Sequence, residues 1–415
     1  MPHHPVGHRA AAAVPAAVPA AVPAADEPGT RLTSPVRLPA TAGPPRSGGR
    51  GRAGWLRVDL GLFIGAAGLS LVGVVLVWSA TRADHGSALA LKQLVAVLVG
   101  AAAAVGVTRL DVRVLRALAP LVYAAGVLGL AAVLSPLGST VNGSRSWIRL
   151  PGGFTLQPSE LAKVALAVAL AMLLADRADR GLRQRHRDVA LAWVVAGVSV
   201  GLVLAQPDLG SALVLVAMAV VVIAAAGAPR VWTTGVVLAG TAAVVAAFTT
   251  PVLSGYQRNR LAAFLDPSLD PQGIGYQTRQ VRIAIGSGGL TGQGLFEGRQ
   301  TQGGFVPFQE TDFVFSVAGE ELGFLGAVGL VLLIGFIVVR CCLVARRADT
   351  FGRLVVLGIA VWFGVQAFEN IGMNLGLTPV TGLPLPFVSY GGSSMIAGWV
   401  AVGIVGNVAS ASARR

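Results

Sequence analysis

Apolar runs of about 20 residues recur through most of this chain, separated by short connections rich in arginine. A run of that length crosses the hydrocarbon core of a bilayer as a helix. Backbone in lipid must satisfy its own N–H and C=O groups, so such a chain folds as a bundle of membrane helices. The chain is 54% hydrophobic and 12% charged, with a mean hydropathy of +0.70. The expected fold is therefore an all-α integral membrane protein. Its ten transmembrane helices are read at 60–81, 87–107, 115–135, 158–175, 188–205, 209–227, 231–250, 312–340, 352–377 and 389–408.

An even number of spans puts both termini on one side, and the arginines choose which. Arg46, Arg50, Arg52 and Arg57 precede the first span; Arg109, Arg113 and Arg116 fill the second connection, Arg177 to Arg187 the fourth, Arg230 the sixth, and Arg340, Arg346, Arg347 and Arg353 the eighth. Even connections are thus cytoplasmic, as are both termini. The formal net charge of +13 is used in this way for orientation, and no nucleic-acid partner is implied. Residues 1–54, rich in Ala, Pro and Arg, cannot bury a core and read as a disordered cytoplasmic tail, leaving 55–415 as the membrane domain. The two cysteines, Cys341 and Cys342, are adjacent and form no disulfide framework or metal cluster.

Chemistry is therefore expected outside, on the odd connections 138–157, 251–311 and 378–390, with 251–311 a long extracytoplasmic loop between helices 7 and 8. Asp312 stands where that loop meets the eighth span, and a carboxylate at a membrane boundary is costly unless hydrated, paired or used. On the residues alone, a helix cap and a catalytic group are both open. Glu160 and Lys163 share a helix face, as a structural ion pair or with Lys163 and Arg145 binding phosphate. Arg258, Arg260 and Arg279 lie in the long loop, where Val281 and Ile285 suggest an amphipathic helix on the membrane face. The glycine-rich stretch Gly286–Gly294 could approach an anionic group or be a flexible turn. Asp208 sits at the outer level in the turn Gln206–Gly210; Glu320, Glu321, Glu369, Asn370 and Asn374 lie within spans, where interhelical hydrogen bonding is favoured over direct chemistry. Prolines make Thr378–Ser394 a shaped rim.

Several strings, in order, carry a resemblance: Gly143-Ser144-Arg145-Ser146-Trp147-Ile148, Gln157-Pro158-Ser159-Glu160, Gln206-Pro207-Asp208-Leu209-Gly210, Thr311-Asp312-Phe313 with Gly319-Glu320-Glu321-Leu322-Gly323, and Pro386-Phe387-Val388-Ser389-Tyr390-Gly391-Gly392-Ser393-Ser394. From about Asp59 to Val408 the chain resembles the SEDS family of RodA, FtsW and SpoVE type proteins. The segment Pro379–Pro384 is more similar to RodA, since FtsW is expected to carry lysine where Thr381 stands; Glu310 departs from the histidine of many relatives.

The resemblance implies a multi-pass peptidoglycan glycosyltransferase of the bacterial plasma membrane. It would polymerise lipid II with Asp312 as catalytic carboxylate, in cell elongation, with an FtsW-like division or sporulation paralogue as the alternative. Arg145, Lys163, Arg258, Arg260, Arg279 and Ser393 are then candidates for substrate binding, and Glu160, Asp208, Glu320, Glu321 and Glu369 for support. A divalent cation, Mg2+ or Mn2+, is an open alternative for neutralising the diphosphate. Implied partners are a class B penicillin-binding protein and other elongation or division machinery. Competing readings are a lipid II flippase and a scaffold without chemistry.

Overall fold

The computed structural model describes residues 59–141, 144–249 and 272–414, together with Phe264, Asp266 and Asp270. The expected tail, Arg258 and Arg260 lie outside the described residues. The helices are α1 (Leu60–His85), α2 (Ala88–Thr108), α3 (Val112–Leu134), α4 (Pro158–Asp179), α5 (His186–Ala205), α6 (Leu209–Ala225), α7 (Arg230–Thr249), α8 (Ile274–Ser287), the single turn α9 (Arg299–Gln302), α10 (Val314–Glu321), α11 (Gly323–Arg347), α12 (Thr350–Leu375) and α13 (Gly392–Ser412). Among them α1 to α5, α11, α12 and α13 are long and apolar enough to cross a membrane, while α6 is apolar but shorter. Helices α6 and α7 occupy the positions expected of the sixth and seventh spans.

Most of α4 is buried, and it packs against α3, α12, α5, α6 and α13 at the centre of the bundle. Small residues let these helices approach, which is how helices associate where lipid removes the hydrophobic drive. The tightest pair is α2 with α13. There a side chain at Gly403 would meet the Ala104 backbone oxygen at 2.6 Å, and one at Gly100 the Trp399 side chain at 2.9 Å. The arginine-rich ends are tied together: Arg340, about two turns before the end of α11, donates to both oxygens of Asp59 ahead of α1 at 2.8 Å, and Arg116 near the start of α3 pairs with Asp176 near the end of α4.

Three features depart from the sequence expectations. The connection 138–157 folds into a three-stranded antiparallel sheet of β1 (Gly138–Val141), β2 (Ser144–Leu150) and β3 (Phe154–Leu156), in the order β1-β2-β3. The single span expected at 312–340 is instead broken at Leu322 and Gly323, where Gly323 takes φ +68°. A break frees backbone groups that a continuous helix would pair. Here the glycine-rich stretch pairs them: the Glu320 and Glu321 carbonyls accept from the N–H groups of Gln293 (2.9 Å) and Gly294 (3.1 Å), and the N–H groups of Phe324 and Leu325 donate to the carbonyls of Gly289 (2.9 Å) and Leu290 (3.1 Å). Only glycine fits so near another backbone, since a Cβ on Gly292, whose φ is +85°, would stand 2.1 Å from the Glu321 carbonyl oxygen. The stretch is thus the clip of the broken helix.

The same junction uses both glutamates. Glu320 is fully buried and accepts from the N–H groups of Gln300 (2.7 Å) and Thr301 (2.9 Å) and from the Thr301 hydroxyl (2.7 Å), at the start of α9. Glu321, also buried, accepts from the Ser79 hydroxyl of α1 and from Gln302. The apolar face of α8 rests on protein rather than on the membrane as expected: Val281 and Ala284 are buried with Val306, Phe313, Met373 and Val380.

Substituting Gly292 by alanine should destabilise the protein by about 2 kcal/mol or more, because overpacking and left-handed strain add. The same change at Gly329 on α11, where a Cβ meets nothing within 4 Å, is the control. Thermal unfolding in detergent should show a lower midpoint for Gly292→Ala alone, and equal midpoints would contradict the clip.

Candidate active site

Four connections, each read from the sequence as outer, meet in one cavity of about 250 Å³. The sheet contributes Ser144, Trp147, Thr155 and Gln157; the turn between α5 and α6 contributes Pro207 and Asp208; the segment before α10 contributes Phe308, Thr311 and Asp312; the rim 381–394 contributes Thr381, Gly382, Pro384, Tyr390 and its neighbours up to Ser394.

Asp312 is half-buried, just ahead of Phe313 at the N-cap of α10. Its main chain is fixed from two sides. The N–H groups of Thr311, Asp312 and Phe313 converge on the Phe308 carbonyl at 3.2, 3.1 and 3.2 Å, with Phe308 itself at φ +57°. A phenylalanine in that region costs of order 1–3 kcal/mol, which the surrounding bonds must offset. The Asp312 carbonyl accepts from the side-chain amides of Asn370 (2.8 Å) and Asn374 (3.2 Å) on α12. Gly382, at φ +76°, packs so near the carboxylate that a Cβ there would lie 3.5 Å from Oδ2.

The rim is proline-rich and forms neither helix nor strand, so its backbone needs partners from elsewhere. Buried amides supply them. Asn370 donates its second proton to the Leu383 carbonyl at 2.7 Å, Gln366 donates to the Pro384 carbonyl at 2.8 Å, and Gln93 of α2 donates to the Ser389 carbonyl at 2.9 Å while accepting from Gly391 N–H at 3.2 Å. Tyr390 lines the cavity, and burial first, then the nearby Glu310, pushes its phenol above the usual range. The hydroxyl therefore stays protonated at neutral pH and can donate a hydrogen bond.

Of the other expected site residues, Ser393 and Asp208 belong to the cavity wall. The Ser393 hydroxyl accepts from Gln157 N–H at 3.0 Å; Asp208 caps α6 by accepting from Ser211 N–H at 2.9 Å. Among the described residues of the cavity wall none is lysine or arginine, and Arg258 and Arg260 of the expected cationic vestibule lie outside the described residues. Arg145 turns back to the Ser135 (2.7 Å) and Gly138 (3.3 Å) carbonyls of its own connection. Lys163 is fully buried, donating to Glu160 at 2.7 Å and Gln366 at 2.6 Å with its ammonium 5.4 Å from the Trp362 ring centre. Arg279 is exposed on α8, in a separate groove with Arg282. Glu369 is nearly buried on α12 and is not part of the cavity wall. Sequence reasoning did not single out Trp147, Gln157, Thr311 or Tyr390 as site residues, although each stands within or beside the strings that carry the resemblance.

The family model described as "Cell cycle protein", covering FtsW, RodA and SpoVE, matches residues 58–414. The chain belongs to this family. It is 39% identical over 360 residues to a probable peptidoglycan glycosyltransferase FtsW of Trichlorobacter lovleyi, covering 85% of this chain and 93% of that protein. It is 38% identical over 354 residues to the FtsW of the same description from Mycobacterium tuberculosis, covering 83% of this chain and 66% of that one. Among solved structures it resembles the rod shape determining protein RodA of Thermus thermophilus, at 34% identity and TM-score 0.64 over 86% of this chain and 97% of that one. It also resembles a chain from work described as structural coordination of polymerization and crosslinking by a peptidoglycan synthase complex, at 36% identity and TM-score 0.72, covering 87% of this chain and 100% of that one. Membership in the family makes this a multi-pass protein of the bacterial cell membrane.

Two substitutions test how the site is held. Asn370→Leu removes the amide donor of the Leu383 carbonyl and the shorter of the two on the Asp312 carbonyl, which keeps Asn374, at about 1–3 kcal/mol for the Leu383 carbonyl left unsatisfied. Amide exchange over residues 308–316, read by mass spectrometry in detergent, should rise while that of α5 stays unchanged. Lys163→Met leaves a buried Glu160 without its partner and should cost roughly 3–5 kcal/mol, most of it recovered in the double variant with Glu160→Gln. A double variant no more stable than the single one contradicts a structural pair.

Proposed function

We propose that the protein is a peptidoglycan glycosyltransferase that polymerises lipid II, with Asp312 as the general base. The observation that carries this reading is the convergence of four connections, each read as outer, on one cavity with Asp312 in its wall. A lipid-linked sugar needs a polar chamber beside a surface that its tail can follow, and membrane-length helices flank this one.

In the reaction, the Asp312 carboxylate takes the proton of the acceptor's GlcNAc 4-hydroxyl as that oxygen bonds to C1 of the donor's MurNAc. The bond from C1 to the diphosphate oxygen breaks, and its electron pair leaves with undecaprenyl pyrophosphate. Attack opposite the leaving group inverts C1 and gives a β-1,4 bond. Base assistance supplies about 10² to 10⁴ in rate, or roughly 3–5 kcal/mol.

A divalent cation remains part of the proposal for the departing charge. The described residues hold no group of three or more His, Cys, Asp or Glu side chains suited to a metal. Of the two carboxylates in the wall, Asp208 and Asp312, the second is the base in this reading, so an ion there would take its shell chiefly from substrate phosphate and water rather than from a protein cage. Crosslinking requires a partner; the likeness to a chain of a peptidoglycan synthase complex supports a class B penicillin-binding protein. Thr381 supports an elongation role, whereas the curated relatives named above are called FtsW.

Purified protein supplied with lipid II in detergent should make long glycan, and Asp312→Asn should lower turnover by at least about 10²-fold with the protein still folded and inserted. Because detergent offers no second leaflet, a flippase would make no polymer at all. Polymer formed by Asp312→Asn at the normal rate would remove Asp312 from the chemistry.

A further inference from the structure

Arg279 and Arg282 stand one helical turn apart on the exposed face of α8 and share a groove of about 320 Å³, whose described wall is completed by Thr278 and Ile283. Neither arginine forms a hydrogen bond or an ion pair with a described residue. Like charges at that spacing on a helix repel, so the pair is short of an anion.

A purely structural task does not account for them. Arg282 reaches over the end of α12, where its guanidinium lies so close to Gly376 that a side chain there would collide with it. Cations at helix C-termini commonly bond the last carbonyls. This end is instead closed by its own backbone: Leu377 N–H donates to the Gly372 carbonyl at 2.7 Å and Gly376 N–H to that of Met373 at 3.2 Å. Of the described acids just before α8, Asp270 caps the helix by accepting from the N–H groups of Gly273 (3.0 Å) and Ile274 (2.8 Å), and neither it nor Asp266 belongs to the groove wall. Gly376 thus seats a guanidinium that has lost part of its rotamer freedom before any anion arrives.

The surroundings restrict which anion that is. Ile283 in the groove, and Leu375 and Leu377 on either side of Gly376, are exposed apolar side chains, so charge and hydrocarbon surface meet there. Behind the groove, Thr378 and Val380 share a narrow gap with Arg282, while the next residues, Thr381 and Gly382, line the Asp312 cavity. The basic groove and the cavity are therefore two sides of one short stretch of rim. A diphosphate carried on a lipid fits this setting, with charge enough for two guanidinium forks, a chain for the apolar flank and a reacting carbon next to the anion.

We propose that Arg279 and Arg282 hold the diphosphate of the lipid-linked sugar donor from the α8 side of the rim and retain it as it leaves. The assignment rests on the glycosyltransferase reading and adds to it where the leaving group is bound.

The full chain in detergent tests this. Undecaprenyl pyrophosphate should slow amide exchange over α8 at about a tenth of the concentration that inorganic pyrophosphate needs, because its chain adds apolar contact, and phosphatidylglycerol at the same mole fraction should give no protection. Arg282→Gln should abolish the protection and raise about tenfold both the KM for lipid II and the concentration of undecaprenyl pyrophosphate that halves the rate, with Arg282→Lys keeping part of each. Arg279→Gln, at an exposed side chain, should move both in the same direction, and it decides the matter should Arg282→Gln fail to fold. Equal protection by phosphatidylglycerol, or none by undecaprenyl pyrophosphate, overturns the proposal, as do an unchanged KM and unchanged product inhibition in a folded variant. Failure of the wild type to polymerise lipid II would strike the glycosyltransferase reading instead, because exchange protection needs no turnover and would still report the diphosphate site.

Discussion

An unpaired backbone group in hydrocarbon costs several kcal/mol, and the interruption between α10 and α11 creates a row of them. Everything above that interruption is arranged around pairing them. The carbonyls of Glu320 and Glu321 and the N–H groups of Phe324 and Leu325 are all taken up by residues 289–294, which therefore have to lie backbone to backbone against the break. That contact brings the chain back over the bundle, and the Glu320 carboxylate then caps the turn at Gln300 and Thr301. From there only a short path leads to Asp312, whose carbonyl is claimed by Asn370 and Asn374. The position of the carboxylate thus follows from satisfying backbone in a membrane. A continuous helix from 312 to 340 would have needed no glycine clip.

This also explains what was legible in the sequence. Length and hydropathy were enough for the long spans, because a run of about 20 apolar residues has few alternatives. The arginine-bearing ends follow the same logic, and the pairings of Arg340 with Asp59 and Arg116 with Asp176 join helix ends assigned to the same side. Asp312, Asp208 and Ser393 were singled out in three separate connections, and the structure places all three in one cavity wall. The break was not legible, since Leu322-Gly323 sits inside an apolar run and glycine is ordinary in membrane helices. Its one signal was the distant cluster Gly286–Gly294, which reads equally well as a turn. Counting cations does not say where they point, and Arg258 and Arg260 lie outside the described residues. Arg145 and Lys163 have the right charge for a diphosphate, but one is spent on carbonyls of its own connection and the other on Glu160 and Gln366. Charge can be read from sequence; the direction in which a long side chain points cannot.

The magnitudes say what the fold must contribute. A general base accounts for roughly 3–5 kcal/mol of barrier, whereas holding two reactants in line contributes about 7–11 kcal/mol. Orientation is therefore the larger share, and it demands a rim that does not move. A stretch with prolines at 384 and 386 cannot stiffen itself with a helix or a ladder. The buried amides of Gln93, Gln366 and Asn370 do so from the bundle, each donating to a different rim carbonyl, while the Ser389 hydroxyl accepts from Leu385 N–H within the rim. Gln366 also accepts from Lys163 and Trp362, and Asn370 also holds the Asp312 carbonyl. One layer of polar side chains, costly to keep inside a membrane protein, thereby links the central ion pair, the rim and the carboxylate. None of those side chains is among the described residues of the cavity wall, and their work is to make the distance between Asp312 and an acceptor oxygen a property of the fold.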